Sequence, residues 1–190
     1  MDMTTLTAAC AVTERVVAGI HPSQYSLPTP CSDWDVHDVL NHLLGTLALG
    51  RDLLSDAPPG AGAIGPGQLP ADDLVGDDPA GAYGKGVAEL LAAAGGDALD
   101  RTHATPLGDM PGQVLGGFTT LDILVHGWDL ARATGQDPEL DAEVAEPVLA
   151  FAHEAFVDDA ARGPSIGPEV AVPSGASVTD RLVGFLGRIP

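Results

Sequence analysis

Cations are scarce in this chain. Eight Lys and Arg stand against 27 Asp and Glu, a formal net charge of −19 over 190 residues. A surface of that sign repels phosphate backbones and anionic headgroups, so neither nucleic acid nor a membrane surface is expected as a partner. Cysteine is scarce too: Cys10 and Cys31 make neither a disulfide framework nor a Cys-x-x-Cys unit. The start, Met1-Asp2-Met3-Thr4-Thr5, lacks the basic residues and apolar core of a signal peptide. No run approaches the roughly eighteen apolar residues of a membrane span. Together these absences lead us to expect a cytoplasmic protein with reduced thiols. Glycine-rich nucleotide motifs and a Gly-x-Ser-x-Gly elbow are missing as well, which removes the commonest phosphate-binding and serine-hydrolase signatures.

What is present suits one folded domain, residues 1–190. Apolar residues make up 45% of the chain and charged residues 18%, enough to build a core rather than a disordered chain. Hydrophobic periodicity predicts helices over 4–20, 35–55, 79–104, 112–134 and 138–161, with a short terminal helix over 178–187 and no convincing strand. Gly95-Gly96 is a candidate break within the third helix, Gly135 is placed as the C-cap of the fourth, and Asp137-Pro138 as the opening of the fifth. The stretch 57–78, rich in Pro, Gly and Asp, reads as a long mobile surface loop. The expected fold class is all-α, an up-and-down helical bundle.

The chemistry concentrates in Leu121-Asp122-Ile123-Leu124-Val125-His126-Gly127-Trp128-Asp129. On a helix, Asp122 and His126 share one face, within an arc of apolar neighbours that buries most sides of the segment. A carboxylate so surrounded must be paired, hydrogen-bonded or metal-bound. From spacing alone, Asp122 and His126 are either a polar core pair or two ligands of one divalent metal. His42, in Val39-Leu40-Asn41-His42-Leu43, lies on the flank of the apolar stripe of the second helix, where a solvated imidazole fits as well as a ligand. Two His and one carboxylate from two helices would leave a coordination position open. Asp129 reads as an acceptor that orients a ligand imidazole or, more simply, as a partner of Arg132 or Arg51. Trp34 and Trp128 read as core, and Cys31 as a small residue packed beneath its loop rather than a reactive thiol at a helix start.

Four stretches carry a resemblance: Pro28-Thr29-Pro30-Cys31-Ser32-Asp33-Trp34-Asp35-Val36, Asn41-His42-Leu43, the run from Asp122 to Gly135, and Asp180-Arg181-Leu182-Val183-Gly184-Phe185-Leu186-Gly187-Arg188. They resemble the DinB-like metal-binding proteins of actinobacteria, in the branch that includes mycothiol-dependent maleylpyruvate isomerase. The resemblance implies a DinB-like four-helix bundle, here with an additional short C-terminal helix. It implies one divalent metal, zinc before nickel, held by His42, Asp122 and His126. It also implies mycothiol as co-substrate, with a small electrophile as the second substrate. Two departures limit the transfer: the isomerase has Glu where this chain has Asp122, and it carries a further C-terminal domain for which 190 residues leave no room.

The leading expectation is therefore a thiol-dependent S-transferase or isomerase. The alternatives are a metal-dependent hydrolase and a non-catalytic metal-binding, sensor or dimerisation module. No general base is evident beyond the ligands, catalytic residues are unassigned, and a homodimer is an open alternative to the missing domain.

Overall fold

The computed structural model describes residues 1–31, 33–60, 67–157, 162 and 166–190. Among these the protein is mostly helical, and every helix start but the one at Gly112 carries a side-chain cap. Helix α1 (Met3–Ala18) is capped by Asp2, whose carboxylate accepts from the Thr5 amide. Helix α2 (Val36–Leu54) opens with a reciprocal capping box between Asp35 and Asp38. Helix α3 (Pro79–Ala93) begins with Asp78 as cap and Pro79 in the first turn. Helix α4 (Gly112–Thr134) ends at Gly135 in the left-handed region, φ 73°. Helices α5 (Ala142–Ala155) and α6 (Val178–Phe185) follow.

The expected third helix is shorter than its periodicity suggested. It stops at Ala93; Gly96 turns in the left-handed region and the chain then forms an antiparallel hairpin, β1 (Thr102–Thr105) with β2 (Gly108–Pro111). The all-α expectation is corrected by this small sheet. Its cause is local: Gly108, φ 105°, permits the tight reversal, and the Thr105 hydroxyl donates to the Gly108 carbonyl across it. Helix α5 starts four residues later than expected because Leu140 is tied to α6, its amide donating to the Thr179 hydroxyl at 2.9 Å, and Asp141 takes over as cap. The last residues of the expected fifth helix, 158–161, lie outside the described residues.

Helix α4 is the centre of the molecule. It packs against α1, α2 and α5, while α3 lies against α1 and α2, and α6 against α5. One side of α4 contributes Leu115, Ile123 and Leu130 to a core shared with α1, α2 and α3. The other side contributes Leu121, Leu124, Val125 and Trp128 to a core shared with α5 and α6. This double duty is why apolar residues surround the helix instead of forming one stripe. The approach of α1 is close: the Thr13 hydroxyl donates to the Ile123 carbonyl at 3.0 Å, and a Cβ on Gly127 would run into that same hydroxyl. Burying α4 on both sides takes its polar residues out of bulk water, which sets the terms for the site. No helix among the described residues is long and apolar enough to cross a membrane.

Candidate metal centre

Three side chains expected from the sequence meet where α2 faces α4. His42 Nε2 lies 3.1 Å from Asp122 Oδ2, and His126 Nε2 lies 3.5 Å from Asp122 Oδ1. One ligand atom from each of the three falls within 4.8 Å of the others. His42 is only 2% exposed, so its place on the flank of the α2 stripe is a place facing α4, not solvent. Asp122 is 31% exposed, which puts the open side of the cluster at the carboxylate.

The far nitrogens of both imidazoles are committed. The Gln68 carbonyl accepts from His42 Nδ1 at 2.7 Å, and an Asp129 oxygen accepts from His126 Nδ1 at 3.0 Å. With an acceptor at each Nδ1, the tautomer protonated there would turn both Nε2 lone pairs toward one carboxylate. Lone pairs and carboxylate oxygens repel unless a cation lies among them. In the metal-free protein the surroundings favour a proton on His126. Burial alone would push this group down, but Asp122 first and Asp129 next outweigh it and raise it to about 9. Asp122 is pushed up by burial and pulled down more strongly by His126 and His42, to well below the ordinary carboxylate range. A divalent ion satisfies the same arrangement with three donor atoms, and the donor set fits a borderline metal such as zinc.

Several neighbours were not foreseen. The Thr46 hydroxyl, one helical turn beyond His42, donates to Asp122 Oδ2 at 2.6 Å. Its i+4 spacing from His42 was the available signal. Trp34 sits 4.7 Å from His42 and 5.9 Å from His126, ring centre to ring centre, and is half-buried rather than core. A turn holds it there: Asp33 takes φ 71°, and Thr29 donates its hydroxyl to the Trp34 carbonyl at 2.9 Å. Gln68 belongs to the stretch expected to be a free loop. The described part of that stretch is pinned to α2 instead, since Asn41 donates to the Asp72 carbonyl and accepts from the Leu74 amide. Residues 61–66 of it lie outside the described residues.

Asp129 pairs with neither Arg132 nor Arg51. Its oxygens receive His126 and, at 3.0 Å, Arg188 Nη2. Arg51 instead bridges Asp52 and Glu89, and Arg132 stacks over Trp128. Burial raises Asp129, but Arg188 and then His126 outweigh it and hold it below the usual range. Cys31 faces His126 and Asp129 within ligand distance. Burial, then the Asp129 charge, pushes its thiol up to about 11, which makes it a packed neutral group and no nucleophile. His37 pairs with Asp73 and takes no part in the cluster, as its spacing from His42 suggested.

Comparison with known proteins shows the family. A family model described as the mycothiol maleylpyruvate isomerase N-terminal domain matches residues 6–131, the span that contains all three clustered residues. Two curated proteins of Mycobacterium tuberculosis are each 39% identical over 178 residues, covering 91% of this chain and 90% of the relative. They are "Uncharacterized protein MT0763" of strain CDC 1551 / Oshkosh and "Uncharacterized protein Rv0738" of strain ATCC 25618 / H37Rv. No solved structure matches.

Proposed function

The chain belongs to the mycothiol maleylpyruvate isomerase N-terminal domain family, and from that membership we propose that it binds one divalent metal, zinc by preference, through His42, Asp122 and His126. We read α1 to α4 as the family's four-helix bundle and the reaction as thiol-dependent transfer or isomerisation on a small electrophile. The observation that carries the metal reading is the convergence of two Nε2 atoms on one carboxylate, with an acceptor at each Nδ1. A bound metal supplies positive charge that lowers the pKa of a thiol, here mycothiol, toward neutrality.

The chain's own residues do the rest. Gln68 and Asp129 hold the two imidazoles in the tautomer that presents Nε2. Thr46 keeps one Asp122 oxygen oriented toward His42. Trp34 covers both rings with an apolar face and limits the approach of water to the Asp122 side. Arg188 reaches this cluster, and Asp129 and the Leu186 carbonyl already occupy it. Among the described residues at the cluster, a carboxylate substrate would find no uncommitted guanidinium or ammonium. This favours an uncharged electrophile, such as an epoxide or a halide, over a dicarboxylate such as maleylpyruvate.

The test is elemental analysis of untagged protein beside His126→Ala, followed by turnover with and without mycothiol. One equivalent of metal lost in the variant, and turnover only with thiol, is the expected result. Turnover without thiol would move the reading to hydrolysis. The commitment of every polar neighbour named above to another protein group favours, as a second reading, a metal-binding module without catalysis. A loaded metal with no turnover in either condition would select it.

A further inference from the structure

Arg188 stands 59 residues from Asp129 in sequence, beyond the end of α6, and is nonetheless almost sealed inside the protein: its side chain is 10% exposed and that of Asp129 is 0% exposed. Its Nη2 meets Asp129 Oδ2 at 3.0 Å, its Nε lies 3.4 Å from Oδ1, and its Nη1 donates to the Leu186 carbonyl at 3.1 Å. The backbone delivers it deliberately. The Arg188 amide closes on the Val183 carbonyl at 2.9 Å, and Gly187 turns at φ 85° directly against the Gly167 backbone, where a Cβ would collide. Few residues other than glycine can make that turn.

Burying a guanidinium beside a carboxylate is expensive unless the pair does something a hydrocarbon pair would not. Among the described residues, Asp129 has one further hydrogen-bond partner, His126 Nδ1. With its guanidinium so occupied, Arg188 is a poor receptor for substrate and a good clamp for Asp129.

We propose that Arg188 is a positioning residue for the metal ligand His126: it fixes the Asp129 carboxylate so that His126 keeps its Nδ1 proton and presents Nε2 toward Asp122 and His42. The C-terminal tail is thereby part of the metal centre, although no tail atom is a ligand. This rests on the metal reading above.

The experiment compares wild type with Arg188→Met, Arg188→Lys and Asp129→Asn, singly and with Arg188→Met and Asp129→Asn combined. Zinc affinity is measured by competition with a chromophoric chelator, and helical content is followed by circular dichroism. Loss of an orienting partner of this kind weakens metal binding by about 10- to 100-fold. We expect Arg188→Met to fall in that range and Arg188→Lys to lie between it and wild type. The double variant should be no worse than Asp129→Asn alone, because Arg188 acts only through Asp129. Full affinity in Arg188→Met, or additive losses in the double variant, would overturn the proposal. If Arg188→Met unfolds, Arg188→Lys keeps the charge and carries the comparison, and unchanged zinc affinity in it would overturn the proposal. If the wild type takes up no zinc, the metal reading fails and the positioning claim is read separately by nitrogen-15 NMR of the metal-free protein. A slowly exchanging Nδ1 proton on His126 that disappears in Arg188→Met, or in Arg188→Lys if only that variant folds, would uphold it; one that persists would overturn it.

Discussion

His103 and His126 are both buried, and each gives Nδ1 to an aspartate, Asp56 at 2.8 Å and Asp129 at 3.0 Å. The difference lies in the other nitrogen. His103 Nε2 is used up by the Ala98 carbonyl at 2.7 Å, five residues away, so the ring ties the hairpin to the turn before it. His126 Nε2 has no carbonyl and faces Asp122, as does His42 Nε2 from the opposite helix. Burial and an aspartate partner therefore do not distinguish a ligand from a structural histidine. What sets the proposed ligand apart is that its second nitrogen, instead of being spent locally, shares its acceptor with another ring.

The largest expected effect breaks that comparison outright. His42→Ala and His126→Ala should each abolish metal binding in elemental analysis while the helical circular dichroism signal persists. His103→Ala should keep the full metal complement and lose stability instead, by about 1–3 kcal/mol in urea denaturation, because it orphans the Ala98 carbonyl. Metal retained by both ligand variants, or lost from His103→Ala, would remove the distinction.

Next in size is pH. The folded value of His126, about 9, lies above the ordinary imidazole value of about 6.5. Its contribution to metal-free stability is therefore whole below about 6.5 and fades as pH rises through about 9. Metal requires the deprotonated ring, so apparent affinity should run the other way, gaining up to about tenfold per pH unit until near 9. Chelator competition at several pH values checks the slope, and a flat profile would mean that no proton is displaced.

A smaller effect is expected at Thr46, which holds the carboxylate rather than the rings. Thr46→Val removes one hydrogen bond to a charged group, worth about 1.5–3 kcal/mol, and should weaken metal binding by about 10- to 100-fold without changing its stoichiometry. The smallest is at Cys31. With its thiol pushed up to about 11, it should alkylate more slowly at pH 8 than a free cysteine. Cys31→Ser should leave metal content unchanged, and a lost equivalent would bring the sulfur into the ligand set.

Much of the site was legible along the chain because one helix carries two of its members. The i, i+4 spacing of Asp122 and His126 is a property of helix geometry, and the helix itself was plain from its apolar surround and from Gly135 at its end. The apolar stripe placed the start of α2 near Asp35, within a residue of where it begins, and with it His42; the cap itself is Asp35. The hairpin was not legible. Its strands are four residues each, too short for a period-2 pattern to stand out from the Ala-rich helical run before it.

The sequence by itself determined the Gly135 cap, the helix centred on Asp122 and His126, and the acidic balance that turns away polyanions, because each depends on neighbours within one or two turns or on composition alone. Only the tertiary structure decided that Asp129 answers to Arg188 rather than to Arg132 or Arg51, that Gln68 holds His42, and that His103 spends its second nitrogen on the Ala98 carbonyl. Those outcomes depend on which groups are brought within hydrogen-bonding distance once α4 is enclosed on both sides. There, a polar atom takes the partner that packing delivers, however far away it lies in the chain.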